Sequence, residues 1–327
     1  MPFVVYNLNN AIDSFFSDAG ASTSRAECDA IARQRCGGQI RPVDIQGSNS
    51  YTVIAGLNND KIIQFRDQTA LLDTTMLALA KDIYGHLVPS CSEVGRVGNV
   101  SGPHLVVYEM DRLLGENCVT ARLSLACDKR LNIVHGLANF FTQAWQKSVP
   151  VDSGLVNMSS ISAEYYARFK YLADALPERF LPAVAEAQAA LPSLLNGGYP
   201  VVLTHADLNE MNILINPNNG EITGIVDWSS ASIQPFGFSL YALENALGDM
   251  SADGWKWHDN ADELRVAFWK VFKERTGLSE PQLKLPQLAG KAGILIRYGI
   301  AYDIGFSGLI GVRDPKMEDF RHLDALL

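Results

Sequence analysis

The 327-residue chain is poor in cysteine, and its five, Cys28, Cys36, Cys91, Cys118 and Cys127, form no CxxC pair. An odd, scattered set argues against a disulfide framework or a structural zinc site, and for reduced thiols in a cytoplasmic setting. Basic charge is also short: 27 Lys and Arg stand against 36 Asp and Glu, a net charge of −9. A general nucleic-acid binder carries the opposite balance, so nucleic acid is not an expected partner. The opening MPFVVYNLNN has no basic stretch followed by an apolar one, so no secretion signal is expected. The most membrane-like run, residues 293–312, contains Arg297, Asp303 and five glycines. It reads as a buried helix rather than a membrane span. Asn99-Val-Ser101 and Asn157-Met-Ser159 fit the glycosylation acceptor pattern, but without a secretory route they read as chance matches. Also absent are GxxxxGK[ST], GxGxxG, HExxH and GxSxG, which removes the usual handles of P-loop, dinucleotide, zincin and esterase chemistry.

What remains is globular: 47% of residues are hydrophobic and 19% charged, enough for a sizeable core. Ser24-Arg-Ala-Glu27 is a capping box and predicts a helix ending near Gly37-Gly38. Residues 43–54 read as strand, polar turn and strand, and residues 61–66 as a third strand in which Gln64 and Arg66 share a side. Leu72, Met76, Leu79 and Ile83 recur at helical spacing and predict a helix over 69–84. Residues 104–108 read as a further strand. Beyond them helices dominate: 128–146, with Leu131, Val134, Leu137, Ala138 and Phe141 on one face, then 163–176, 183–195, 261–275 and 287–302. Residues 250–258 are ambiguous. The reading is α+β, with a small β-rich unit over 1–110 and a larger helical one over 111–327.

The chemistry concentrates in residues 201–228. Apolar β-formers lead into His205-Ala-Asp207, a short polar loop, Asn212 and the strand Ile213-Leu-Ile215. The turn Asn216-Pro-Asn-Asn-Gly220 sends the chain back through 222–226 to Asp227-Trp228. With paired strands about 4.8 Å apart, the oxygens of Asp207, Asn212 and Asp227 can converge at one mouth of this hairpin. Mg²⁺ takes oxygen ligands, commonly one or two carboxylates plus phosphate oxygens and water. Asp227 and Asn212 supply one anionic and one neutral ligand, which leaves Asp207 to orient or deprotonate a hydroxyl. A lone His-x-Asp is ordinarily a local hydrogen-bonded turn; it is the spaced set that points to function.

His205-x-Asp207-x-x-x-x-Asn212 followed by Ile225-Val-Asp227-Trp228 resembles the signature of the aminoglycoside phosphotransferase/choline kinase superfamily, a branch of the protein-kinase-like fold. The resemblance extends weakly from about residue 40 to 302. It implies a two-lobed kinase-like fold, ATP and Mg²⁺ as cofactors, and transfer of the γ-phosphate to a hydroxyl of a small molecule, with no membrane or nucleic-acid partner. It implies Asp207 as catalytic base, supported by His205, and Asn212 and Asp227 as metal ligands. Gly47, Ser48, Asn49 and Ser50 would cover the nucleotide phosphates, and the backbone of Glu109 and Met110 would meet adenine.

The chain departs from kinases at several points. Ala206 replaces Arg in the catalytic loop. Arg66 stands where a phosphate-binding Lys is expected, and the following helix has no Glu, Asp73 being the one acid on its early turns. The phosphate loop has one glycine, Gly47, which read alone is a plain hairpin glycine. Arg66 read alone is a solvated strand charge, and Asp73 a helix-surface acid. These departures motivate an alternative, a non-catalytic nucleotide-binding protein on the same fold. A protein kinase is disfavoured by the absence of D-F-G and A-P-E and by Ala206 after His205. Trp228 is read as core, and Trp255 and Trp257 as packing or as a wall of the acceptor pocket. Glu210, Glu244, Asp249, Asp253 and Asp259 form either a cation-attracting acceptor wall or a solvated acidic face. The acceptor and oligomeric state are left open by the sequence.

Overall fold

The computed structural model describes residues 6–19, 23–99, 102–121, 127–251, 253–302, 309–312 and 320–327. The first five residues, Val100 and Ser101 of the first glycosylation pattern, and residues 303–308 of the membrane-like run lie outside this set. The chain divides into two compact units, Met1–Asp82 with His86–Leu114, and Ile83–Gly85 with Gly115–Leu327.

The first unit begins with α1 (Leu8–Asp18) and α2 (Arg25–Cys36). The predicted capping box starts α2: the Glu27 amide donates to Ser24 Oγ at 3.3 Å and the Ser24 amide donates to the Glu27 carboxylate at 2.8 Å. A five-stranded antiparallel sheet follows in the order β1 (Arg41–Pro42), β2 (Ser50–Ala55), β3 (Lys61–Asp67), β5 (His104–Asp111), β4 (Cys91–Gly98). Alternation sorts its faces. Tyr51, Val53, Ala55, Ile63, Phe65, Leu105 and Val107 pack with Ile12, Phe15, Cys28 and Ala32 as the core. Ser50, Thr52, Gln64 and Arg66 stand on the opposite face, Ser50 opposite Arg66 and Thr52 opposite Gln64.

Two sequence expectations change here. The strand proposed from residue 43 ends at Pro42, because the Gln46 side chain takes the strand's place: its amide donates to Val43 O and Thr52 O and accepts from Thr52 N. The helix expected from residue 69 begins as α3 (Thr74–Tyr84). Before it, Asp67 folds a turn by accepting from the Thr69 amide, and Asp73 accepts from the amides of Thr75 and Met76 as the helix cap.

The second unit is mainly helical. It contains β6 (Glu116–Asn117), α4 (Cys118–Ala121), α5 (Cys127–Gln146), α6 (Met158–Ala175), α7 (Leu181–Leu194), β7 (Val201–Thr204), β8 (Ile213–Ile215), β9 (Ile222–Ile225), β10 (Ser232–Pro235), α8 (Tyr241–Asn245), β11 (Gly248–Ser251), β12 (Gly254–Trp257), α9 (Ala261–Thr276), α10 (Glu280–Gly299), β13 (Ile300–Tyr302), β14 (Leu309–Val312) and α11 (Phe320–Leu326). On α5, Val134, Leu137, Ala138 and Phe141 are buried, whereas Leu131 is 37% exposed at the margin of that face. Asn157 caps α6 by accepting from the Ser160 amide. The ambiguous residues near 250 form the β11–β12 hairpin, with Gly254 at φ 112° in its turn. Helix α10 starts well before residue 287, at a Ser279–Gln282 capping box, and carries Pro286 inside it. Among the described residues no helix is long and apolar enough to cross a membrane.

Candidate active site

β8 pairs antiparallel with β9, Ile213 opposite Ile225, and the hydrogen bond from Val226 N to Asn212 O extends the pairing at 2.9 Å. That register sets Asn212 beside the end of the returning strand, one residue before Asp227. β7 delivers the chain to His205, which is buried at 1% exposure. Its Nε2 lies 2.8 Å from Val226 O. A carbonyl only accepts, so Nε2 carries the proton and the buried Nδ1, with no hydrogen-bond partner, is bare. Burial pushes the imidazole below its ordinary pKa, outweighing the Val226 carbonyl and the charges of Asp227 and Asp207, which pull the other way. His205 is therefore a neutral strut that ties the catalytic loop to the second strand of the hairpin. Trp228 packs edge-on against His205 and donates from Nε1 to Ile225 O at 2.9 Å, a core residue that closes the hairpin's end.

Asp207 sits between two backbone bonds to one phenol. Tyr241 Oη donates to Ala206 O at 3.0 Å and accepts from Leu208 N at 3.1 Å. The Asp207 carboxylate meets three donors: Arg297 Nη2 at 2.7 Å and Asn209 Nδ2 at 3.2 Å on Oδ1, and Asn212 Nδ2 at 3.4 Å on Oδ2. Asn212 Nδ2 also donates to Asp207 O at 2.8 Å. With its nitrogen held inward, the amide presents Oδ1 away from the loop. Asp227 is exposed, accepts from Ser229 Oγ at 2.7 Å on Oδ1, and has Oδ2 to offer. Among the described residues no group of three or more His, Cys, Asp or Glu gathers as a metal cluster. One amide oxygen and one carboxylate suit Mg²⁺, which completes its shell with phosphate oxygens and water.

Ala206 and Asp227 both hold left-handed backbone conformations, φ 62° and 59°. For residues with a Cβ this costs about 1–2 kcal/mol each. Apart from Asn59, they are the positive-φ non-glycine residues among those described, and both flank the candidate chemistry.

In the first unit, Gly47, Ser48 and Asn49 form the exposed loop before β2. Ser50 is buried and joins a polar chain: Gln64 Nε2 donates to Ser50 Oγ at 3.3 Å and to Thr52 Oγ1 at 3.1 Å, and Arg66 Nη1 donates to Gln64 Oε1 at 3.2 Å. Arg66 Nε donates to Ala70 O at 2.6 Å. Ser50 and Arg66 are thus brought together, while Asp73 is committed to capping α3. Glu109 and Met110 lie within β5, flanked by Ile63 and Ile62 of β3 and by Ser92 and Cys91 of β4. The Glu109 carboxylate pairs with Arg35 at 2.5 Å. Of the acids considered for an acceptor wall, Glu244 is held by Arg265 at 2.8 Å, Asp249 lies 3.9 Å from His258, and Asp253 and Asp259 are exposed. Glu210 and Asp249 line a small recess with Cys118, Arg130, Asn245 and His258.

Arg297 was not among the residues the sequence singled out for chemistry. Its signal was the one charge in the apolar run 292–302, which demands a partner.

This set, an HxDxxxxN loop tied to a following strand–Asp, is the arrangement that the sequence resemblance implied. Residues 103–263 match the family model described as the phosphotransferase enzyme family. The chain has the kinase-like α+β fold of solved phosphotransferases. No curated protein sequence matches it. Among solved structures, it resembles the GDP and kanamycin complex of APH(2")-IIia at TM-score 0.53 and 15% identity, over 84% of this chain and 89% of that one. The apoenzyme of macrolide 2'-phosphotransferase MphH from Brachybacterium faecium gives TM-score 0.53 and 16% identity, over 83% and 89%. The GDP complex of wild-type aminoglycoside 2'-phosphotransferase-IIIa gives 0.51 and 15%, over 84% and 91%.

Proposed function

We propose that this protein transfers the γ-phosphoryl group of Mg²⁺-bound ATP to a hydroxyl of a small molecule. The observation that supports the reading is the β7–β8 loop, tied by His205 to Val226 O and by Asn212 to Asp207 O, beside the strand end that carries Asp227. Asp207 accepts the acceptor hydroxyl's hydrogen bond and aims its oxygen at the γ-phosphorus. Asn212 Oδ1 and Asp227 Oδ2 would hold Mg²⁺, which when bound neutralises charge on the phosphate chain. His205 holds the loop against Val226 and takes no proton. Ser50 and Arg66, with the loop of Gly47, Ser48 and Asn49, bind phosphate, the guanidinium serving where a lysine is common.

Kanamycin in one relative's complex and the macrolide in another's name support a multi-hydroxylated small molecule as the acceptor class. Cys28, Cys36, Cys91 and Cys118 are all unpaired, which supports a reducing, cytoplasmic setting. The test is transfer of labelled γ-phosphate from Mg·ATP to a library of aminoglycosides, macrolides, amino alcohols and sugars. The wild type is expected to label at least one, and Asp207→Ala to lower kcat by about 10²–10⁴-fold. Equal labelling by the variant would overturn the role given to Asp207. Nucleotide binding with no acceptor labelled would turn the account toward a non-catalytic binder.

A further inference from the structure

We propose that Arg297 is a positioning residue for Asp207, and that it leaves Oδ2 as the oxygen that receives the acceptor hydroxyl. The inference rests on the phosphotransferase reading and extends it to a residue outside the HxDxxxxN pattern, supplied by the last turn of α10.

The donor geometry is asymmetric. Oδ1 of Asp207 meets two donors, Arg297 Nη2 at 2.7 Å and Asn209 Nδ2 at 3.2 Å. Oδ2 meets only the long 3.4 Å contact from Asn212 among these bonds. The carboxylate is pinned through one oxygen and keeps acceptor capacity on the other. Charge-assisted bonds are the short and strong ones, so Arg297 dominates this orientation.

Arg297 is itself braced. Its guanidinium carbon lies 5.4 Å from the centre of the Tyr241 ring, and the hydroxyl of that ring bonds the peptide groups on both sides of Asp207. Burial opposes the guanidinium charge, but Tyr241, Asp207 and Tyr298 outweigh it and raise its pKa. One aromatic residue thus holds the loop backbone and supports the cation that holds the loop's carboxylate. A surface ion pair kept for stability alone needs no such bracket, and pairs of that kind contribute only about 0–1 kcal/mol. Here the partners are 22% and 30% exposed, and the pair sits on the atom group assigned to the chemistry.

The test uses the whole protein, with Mg·ATP as phosphoryl donor and water as the probe acceptor, read as phosphate release. Wild type, Asp207→Asn, Arg297→Gln, Arg297→Lys and Arg297→Ala are compared. Arg297→Gln is expected to lower kcat by about tenfold or more at unchanged KM for Mg·ATP, as loss of alignment does. Arg297→Lys, which keeps charge and loses the fork, is expected to recover part of the rate. Added guanidinium is expected to recover part of the Arg297→Ala rate where urea at the same concentration recovers none, a response that a purely structural role would not give. A thermal-melting cycle with Asp207→Asn and the double variant is expected to show coupling between the two sites. If Asp207→Asn abolishes phosphate release while Arg297→Gln keeps the wild-type kcat, this inference alone falls. If Asp207→Asn equals the wild type, the phosphotransferase reading falls and takes the inference with it.

Discussion

Asp227 pays for its place in backbone strain: φ is 59°, a conformation that glycine holds freely and aspartate at a cost of about 1–2 kcal/mol. Its side chain is exposed and its visible tie is the 2.7 Å bond from Ser229 Oγ. A residue kept for stability would not sit there. Asp227→Gly is therefore expected to retain or raise the melting temperature, while phosphoryl transfer falls by at least about 10²-fold. A stability loss above about 1 kcal/mol would mark Asp227 as structural instead. Asp207, Asn212 and Asp227 could be singled out in sequence because they fall within 21 residues around one short hairpin, and His205 through the resemblance; the pairing of β7 with β10 rather than with β8 was not legible. Arg297 was not singled out, because its partner lies 90 residues earlier and the contact depends on how α10 is seated. Asp73 shows a different limit. An acid near a helix start reads equally as a charge partner or a cap, and here the free amides of Thr75 and Met76 claim it.

Helix α10 reaches Asp207 because three glycines let it lie against the chain that follows β10. A Cβ at Gly293 would stand 2.1 Å from Phe238 O, one at Gly237 would stand 2.7 Å from Ala289 Cβ, and one at Gly290 would stand 3.3 Å from Leu240 Cβ. Phe238 O is backbone and cannot move aside as a side chain would. Gly293→Ala is expected to destabilise the protein by about 1–3 kcal/mol or more and to lower phosphate release with it, as overpacking displaces the turn bearing Arg297. A variant with wild-type melting and turnover would show that α10 tolerates displacement. Element boundaries were legible where a local device sets them, as at Ser24–Glu27. They were not where a side chain replaced backbone pairing, as Gln46 does beside β2. Strand β4 gave no clear sequence pattern, since it is an edge strand with largely exposed residues, two glycines and an irregular register between Glu93 and Gly95. The β11–β12 hairpin was ambiguous because Trp255 and Trp257 fit a strand as well as a helix edge.

At the scale of the whole molecule, the proposed function assigns phosphate contacts to the β-rich unit and the metal and acceptor chemistry to the helical unit. Ser50 and Arg66 face the same side of one sheet, and Asn212 and Asp227 stand at one end of the β8–β9 hairpin, with Asp207 on the loop that enters it. Identity of 15–16% to solved phosphotransferases establishes the fold, and the hairpin carries the argument for chemistry. The net charge of −9 favours a cationic acceptor or serves solubility. The most direct measurement is thermal melting with saturating ATP, with and without Mg²⁺, on wild type, Asp207→Ala and Asp227→Ala. At a ligand concentration of 100 Kd, binding adds about 2.7 kcal/mol of stability. The account predicts a Mg²⁺-dependent rise for the wild type and for Asp207→Ala, and loss of the Mg²⁺-dependent part in Asp227→Ala. A full Mg²⁺-dependent rise in Asp227→Ala, or none in the wild type, would contradict it.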